Sequence, residues 1–395
     1  MQEDLGDSYD KVADMLAAAG LREDALADYR KGLAVFEQLA HAQPDNTRWQ
    51  KHLAASYSNV GDALAAGGRS EDALAAFRTA LAIREKLAAS DPGNAGWQQD
   101  LAASLSRIGD LLSEARQTDA ALTQYRRSRA ILEALALADP GNPLKQRELT
   151  VGDNKMGDLL AAAGRWDDAL AAYRKGLAVR ERLAAADPGN AEWQRDLAFS
   201  NDRIALALAG AGRYDDALAS TRVAVAIVEK LTAADSGNAD WQNVLAGYYR
   251  RIGGLLMVLH RPEEALAAFR HKLDIARKLA ATDPANRTLQ HELWASYYSV
   301  GDALRDLKRE RAARLVYREG LVVIEQLAAS DPGVANWQLE LVTNLFLLAQ
   351  LGDDQVAHLT EGLAILKRLD SEGKLPPDKK AWIPTFEQAI ASSKK

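Results

Sequence analysis

The side chains able to do acid–base or metal chemistry in this chain are 6 histidines and 55 carboxylates, and their spacing does not assemble them. His41, His52, His260, His271, His291 and His358 show no recurring interval to Asp or Glu of the kind a metal site needs. No nucleophile elbow or phosphate-gripping glycine loop is present, although sequence order alone leaves Ser–His–Asp arrangements open. There are no cysteines, so thiolate metal sites and a disulfide framework are excluded and a reducing compartment fits. The chain is therefore expected to be no enzyme and to carry neither cofactor nor metal. The polar chemistry that does recur has a binding character. Asp10, Ser58, Ser106, Asn154, Asp202, Arg250, Tyr298 and Phe346 stand 48 residues apart in one row. Lys11, Asn59, Arg107, Lys155, Arg203, Arg251 and Ser299 form a second row, and Asp14, Asp62, Asp110, Asp158 and Asp302 a third.

What positions these rows is a repeat of 48 residues marked by Trp-Gln at Trp49, Trp97, Trp193, Trp241 and Trp337. Met1, Lys145 and Leu289 hold the same slot without the indole. A fixed period of this size implies identical supersecondary units stacked side by side, each contacting mainly its neighbours. Units begin near residues 1, 49, 97, 145, 193, 241, 289 and 337, and the chain opens in phase with the repeat at Met1, as expected of a piece of a longer protein. Hydrophobic residues make up 48%, dominated by Ala and Leu, with Pro at periodic sites, which reads as helix without strands. The net charge of −6 is spread along the chain, with no basic stretch dense enough for nucleic acid. The opening MQEDLGDSYDKVADML is acidic and amphipathic and not basic then apolar, and no run of 18 apolar residues occurs, so no membrane is expected as a partner and a cytoplasmic location is.

Each unit reads as a hairpin of two helices of about 20 residues, about 30 Å each. From Trp193, the spacing of Leu197, Ile204 and Leu208 predicts a first helix stopped by Gly212 in a left-handed cap. Asp215 or Asp216 then starts a second helix that ends near Asp235. In the connector DPGN, Pro bars helix before it, Gly turns, and Asn caps the next helix. Ala25, Ala73, Ala121, Ala169, Ala217, Ala265 and Ala313, with Gly61, Gly109, Gly157, Gly253 and Gly301, are expected to let two helix backbones approach closely. Leucines from Leu5 to Leu341, and the Val/Ile slot Val35, Ile83, Ile131, Val179, Ile227, Ile275 and Val323, are expected in the core.

These residues resemble the tetratricopeptide repeat, whose signature spans 34 residues. In the fourth unit Gly157, Leu160, Gly164, Trp166, Ala169, Tyr173 and Leu177 fall at the signature's spacings. The longer period is similar to the long-helix versions of bacterial proteins and of kinesin light chains. The resemblance covers residues 1 to about 370 and implies an all-α fold, a right-handed α-solenoid of stacked antiparallel helix pairs. Seven full units, a shortened eighth from Trp337, and a capping helix within residues 371–395 are expected. Departures fall at Ala205, Leu206 and Thr221 in the fifth unit, where a different helix spacing is expected, and at Arg116 and Arg129 in the third.

By resemblance, the first helices line a concave groove that holds a peptide or protein, and the chain is expected to act as a protein-interaction scaffold. The expected contact residues are Asn154, Lys155, Asp202, Arg203, Arg250, Arg251, Tyr298 and Phe346. Exposed Tyr and Arg are the types that dominate interface energies. Against that, Lys11 with Asp14, Arg107 with Asp110 and Lys155 with Asp158 read as i, i+3 pairs within one helix. The arrangement that clamps the C-terminal carboxylate of heat-shock chaperones is disfavoured, because Asp14, Asp62 and Asp110 hold its Asn slot and would repel a carboxylate. Arg30, Arg78, Arg126, Arg174, Arg222, Arg270 and Arg318 are expected to reach a carboxylate or carbonyl of an adjacent helix. The alternative function is that of a sensing or oligomerising arm. Bacterial arrays of this resemblance are often joined to caspase-like, kinase or signalling domains, and the first unit would then pack on an upstream domain or a second copy.

Overall fold

A computed structural model describes residues 2–393. Among them are 17 α-helices, one short 3-10 turn at Pro377–Lys379, and no strand. The Met1 slot expected to match the tryptophans lies outside the described residues. The chain divides into two compact bodies, Met1–Pro188 and Gly189–Lys395.

The N-terminal body holds four hairpins. Their first helices are α1 (Gln2–Ala18), α3 (Thr47–Ala66), α5 (Ala95–Glu114) and α7 (Pro143–Ala162); their second helices are α2 (Arg22–Ala42), α4 (Ser70–Ser90), α6 (Thr118–Ala138) and α8 (Trp166–Ala186). The C-terminal body repeats the pattern with first helices α9 (Ala191–Gly210), α11 (Ala239–Val258), α13 (Arg287–Asp306) and α15 (Ala335–Gln350). Their partners are α10 (Tyr214–Ala234), α12 (Pro262–Thr282), α14 (Glu310–Ser330) and α16 (Gln355–Ser371), and α17 (Trp382–Ser393) follows. Within each body every helix packs on the one before and the one after it.

Local chemistry accounts for the boundaries. Asn46, Asn94, Asn142, Asn190, Asn238 and Asn286 each accept the backbone N–H of the residue three positions on, capping a first helix. First helices therefore begin two residues ahead of the tryptophan slot. Gly20, Gly68, Gly164 and Gly212 end first helices at positive φ. Arg116, His260 and Lys308 hold the same conformation, at φ of 56–57°, without that freedom. Second helices start one residue before the expected aspartates: α10 begins at Tyr214, and Arg213 just outside it holds Asp216 at 2.6 Å instead of a side-chain cap forming.

The small-residue slots work differently from expectation. The space beside Gly61 and Gly109 takes an aromatic ring, and a Cβ there would meet the rings of Phe77 and Tyr125 at 2.8 and 2.6 Å. Gly157, Gly253 and Gly301 face Tyr173, Phe269 and Tyr317 in the same way. In the fifth hairpin Ala205 supplies the methyl where Thr221 lacks the ring, and both are fully buried. The Val/Ile slot is only half-buried except at Val179; the next position is deeper, at Phe36, Val228, Ala276 and Ile324.

After α16, Phe386 of α17 packs against Gly362, where a Cβ would meet its ring at 2.6 Å. Gly362 in Thr-Glu-Gly-Leu corresponds to Gly320 in Arg-Glu-Gly-Leu, and Gly320 is approached by Asn344 of α15. Thus α17 lies on α16 as a following first helix lies on each earlier second helix. At the other extreme, Leu5, Val12 and Met15 of α1 are 47%, 40% and 65% exposed. The equivalent Leu101 and Leu149 are buried at 8% because a preceding second helix packs there.

Candidate binding faces of the first helices

The rows of recurring polar residues meet between hairpins and not within one helix. In the N-terminal body Arg107 of α5 donates to Asp62 of α3 at 2.5 Å, and Lys155 of α7 to Asp110 of α5 at 2.7 Å. Asn59 Nδ2 donates to Asp10 at 3.3 Å. The expected i, i+3 pairing of Arg107 with Asp110 and Lys155 with Asp158 is replaced by this ladder, because the next hairpin brings its cation over the aspartate. Two aspartates of the third row also accept the tyrosine hydroxyl of their own second helix: Asp14 from Tyr29 at 2.6 Å and Asp110 from Tyr125 at 2.7 Å. Burial pushes the Asp62 carboxyl above the usual range despite Arg107. Burial, with Asp14 close by, pushes Asp10 up to about 6. A further link joins Gln99 to Glu148 at 2.9 Å.

In the C-terminal body Leu206 and Gly254 occupy the aspartate slot of two hairpins, so the ladder shifts. Arg251 pairs with Asp202 at 2.9 Å, one helical turn earlier. His291 meets Glu340 at 2.9 Å, and that carboxylate raises the imidazole pKa. Of the expected contact residues, Lys155, Asp202 and Arg251 form ion pairs between hairpins. Asn154 and Arg203 are half-buried on α7 and α9. Phe346 lies against Phe386 of α17, with ring centroids 5.1 Å apart and the rings tilted by 34°. Arg250 is exposed, and half-buried Tyr298 leans on Trp294 and Tyr317 at 5.8 and 6.3 Å.

The arginine slot of the second helices departs from expectation. Arg222 reaches Glu264 at 3.2 Å and Arg318 forks onto Asp353. Arg30, Arg78, Arg126, Arg174 and Arg270 are exposed and make no ion pair among the described residues. Reading by residue type also missed Lys272, which is 2% exposed. The signal was present: Gly32, Ala80, Ser128, Gly176, Ala224 and Gly320 hold that slot elsewhere, so a lysine there stands out.

Among the described residues no group of three or more His, Cys, Asp or Glu is placed to hold a metal ion, and no helix is long and apolar enough to cross a membrane.

The family model for tetratricopeptide repeats matches residues 53–92 and 154–188. Among curated proteins none matches. Of the solved structures, the apo form of RapI aligns over 99% of this chain and 97% of its own, at 11% identity and a TM-score of 0.55. BtubC (BKLC) from P. vanneervenii aligns over 67% and 92%, at 16% identity and a TM-score of 0.48. YrrB, described as a tetratricopeptide protein with an unusual peptide-binding site, aligns over 55% and 84%, at 20% identity and a TM-score of 0.31. The two matched segments, in the second and fourth hairpins, are tetratricopeptide-type, and the likeness to RapI is one of fold.

Proposed function

We propose that this array of tetratricopeptide-type repeats is a non-catalytic scaffold that holds a peptide or protein segment on the exposed faces of its first helices. What carries the reading is the division of labour in the C-terminal body. Arg251 and Asp202 neutralise each other between hairpins, while Arg250 and Tyr298, at one register on neighbouring first helices, have no ion pair or hydroxyl partner among the described residues. An exposed guanidinium and a tyrosine braced by Trp294 form an anchor at low conformational cost. Asn154 and Lys155 offer a more polar contact in the N-terminal body, and Asp202, Arg203, Arg251 and Phe346 border the anchors in the other.

The test is capture from native cell extract, quantified by mass spectrometry, with wild type and an Arg250→Glu/Tyr298→Ala variant as baits. Arg251 is left intact because its change would also loosen the stack. The variant is expected to lose captured partner by about 30-fold or more, as anchor residues worth 2 kcal/mol or more imply, at unchanged helicity. Equal capture by both baits would refute the assignment.

A second reading is favoured by the exposed apolar stripe Leu5, Val12 and Met15 on α1. Such a stripe in the repeat's own packing register fits association with a second copy or with another domain. If a second copy covers it, light scattering gives a dimer that Val12→Glu/Met15→Glu returns to monomer. A wild-type chain that stays monomeric at high concentration removes self-association.

A further inference from the structure

The slot held by Gly, Ala or Ser in six hairpins carries Lys272 in the sixth, and its ammonium projects into a cavity of about 210 Å³ on the first-helix side of the C-terminal body. Asn243, Gly247 and Arg250 of α11 form one wall and Leu289 and Glu292 of α13 the other, with Lys272 on the floor. The lysine side chain is 3% exposed, and its one ion-pair partner among the described residues, Glu292 at 3.2 Å, is 55% exposed at the mouth. An ammonium has three donors to satisfy. Burial lowers the Lys272 pKa, with Glu292 opposing the shift and Arg250 adding to it. The formal charges of Lys272, Arg250 and Glu292 leave one positive charge over.

The equivalent cavity of the third hairpin is a built-in contrast. There Ser128 replaces the lysine and Ser106 the arginine, and Glu148 is held by Gln99 at 2.9 Å. Lys155 reaches Ser106 there at 3.1 Å but is paired with Asp110, so Glu148 leaves the site a net negative charge and an anion is repelled where the sixth hairpin attracts it.

We propose that the Lys272 cavity takes one carboxylate side chain of an acidic peptide, seated between the Lys272 ammonium and the Arg250 guanidinium. The inference rests on the peptide-holding role of the first-helix faces and specifies its ligand. One carboxylate balances the surplus charge, gives the buried ammonium a second acceptor, and suits the planar donor fork of Arg250. A volume of this size admits a carboxyl group and its methylene stem and not a folded element.

The probes are blocked Gly/Ser host pentapeptides with a central Glu, Gln or phosphoserine, titrated against the full chain and read by amide chemical shifts. The Glu peptide is expected to move the Asn243 and Gly247 resonances and leave those around Ser128 still, with the Gln peptide weaker by about tenfold. Lys272→Met is expected to abolish the shifts, and Glu292→Gln, which raises the surplus charge, to tighten binding by about threefold or more. Equal affinity for Glu and Gln, retained binding in Lys272→Met, or preference for phosphoserine overturns the proposal. If Lys272→Met does not fold, an unchanged affinity in Glu292→Gln overturns it alone. Neither variant touches Arg250 or Tyr298, so partner capture that survives Lys272→Met sinks this inference and leaves the scaffold reading standing.

Discussion

Tyr125→Ala is expected to destabilise the N-terminal body by about 3–5 kcal/mol, the range for removing a buried aromatic side chain. The ring is 3% exposed and fills the space that Gly109 leaves open, so its loss opens a void beside that glycine. Its hydroxyl also donates to Asp110, whose other partner is Lys155 of the next hairpin. Packing inside one hairpin and the link between two therefore fail together. Tyr125→Phe keeps the ring and removes only the hydroxyl, at about 1–2 kcal/mol. Gly109→Val attacks the same contact from the other side, with overpacking of about 1–3 kcal/mol. Hydrogen exchange across α5 to α7 reads these losses without assuming a single cooperative transition, which repeat arrays need not have. A loss below about 1 kcal/mol for Tyr125→Ala would show that the ring does not carry the hairpin.

Arg129→Leu is expected to cost about 3–5 kcal/mol, although leucine is what the repeat places in that slot. The reason is Asp153 on α7, which is fully buried and holds Arg129 Nε at 2.6 Å. Elsewhere the Arg129 slot is apolar and the Asp153 slot is apolar or aromatic except at Asn201, as in Leu81 with Leu105 or Leu273 with Tyr297, and no other hairpin puts a charge in either. Two departures from the repeat thus answer each other, and removing one strands a buried charge. Restoring the apolar pair with Arg129→Leu/Asp153→Leu is expected to bring stability back to wild type or raise it by about 1–4 kcal/mol. The single variant carries a pH signature. Burial already holds the Asp153 pKa above its ordinary value, so the unfolded chain ionises first. Losing Arg129 raises the folded pKa further, so the cost of the variant is smallest in acid and grows as pH rises above the usual carboxylate range. Thermal melts at pH 4 and 7 check the sign, and a cost larger at pH 4 would contradict it.

The hairpin plan was legible because period, caps and turn glycines are local signals. Asn190 caps α9 and Gly212 ends it through contacts a few residues long. What the sequence left unread depends on which residue of the next hairpin arrives at a given atom. The pairing of Lys155 with Asp110 joins residues 45 apart, and the i, i+3 reading failed because a neighbouring hairpin offers the closer carboxylate. The glycines were taken for backbone crossings since spacing marks a small residue without saying what fills the space. A capping helix was expected within residues 371–395, but nothing local announces that its Phe386 comes to lie against Phe346. The arginine slot was expected to pair throughout, yet regularity of residue type does not require regularity of partner. Lys272 was overlooked for the opposite reason, as its meaning lies in breaking a pattern of small residues.

Site-specific photo-crosslinking tests most directly whether the first-helix faces hold the partner. A photoreactive residue is placed at position 250 on α11 or at exposed position 270 on the outer side of α12, and captured segments are identified by mass spectrometry. Position 250 is expected to yield crosslinked peptide and position 270 none. Crosslinks from position 270 alone would contradict this and move binding to the arginine row of the second helices.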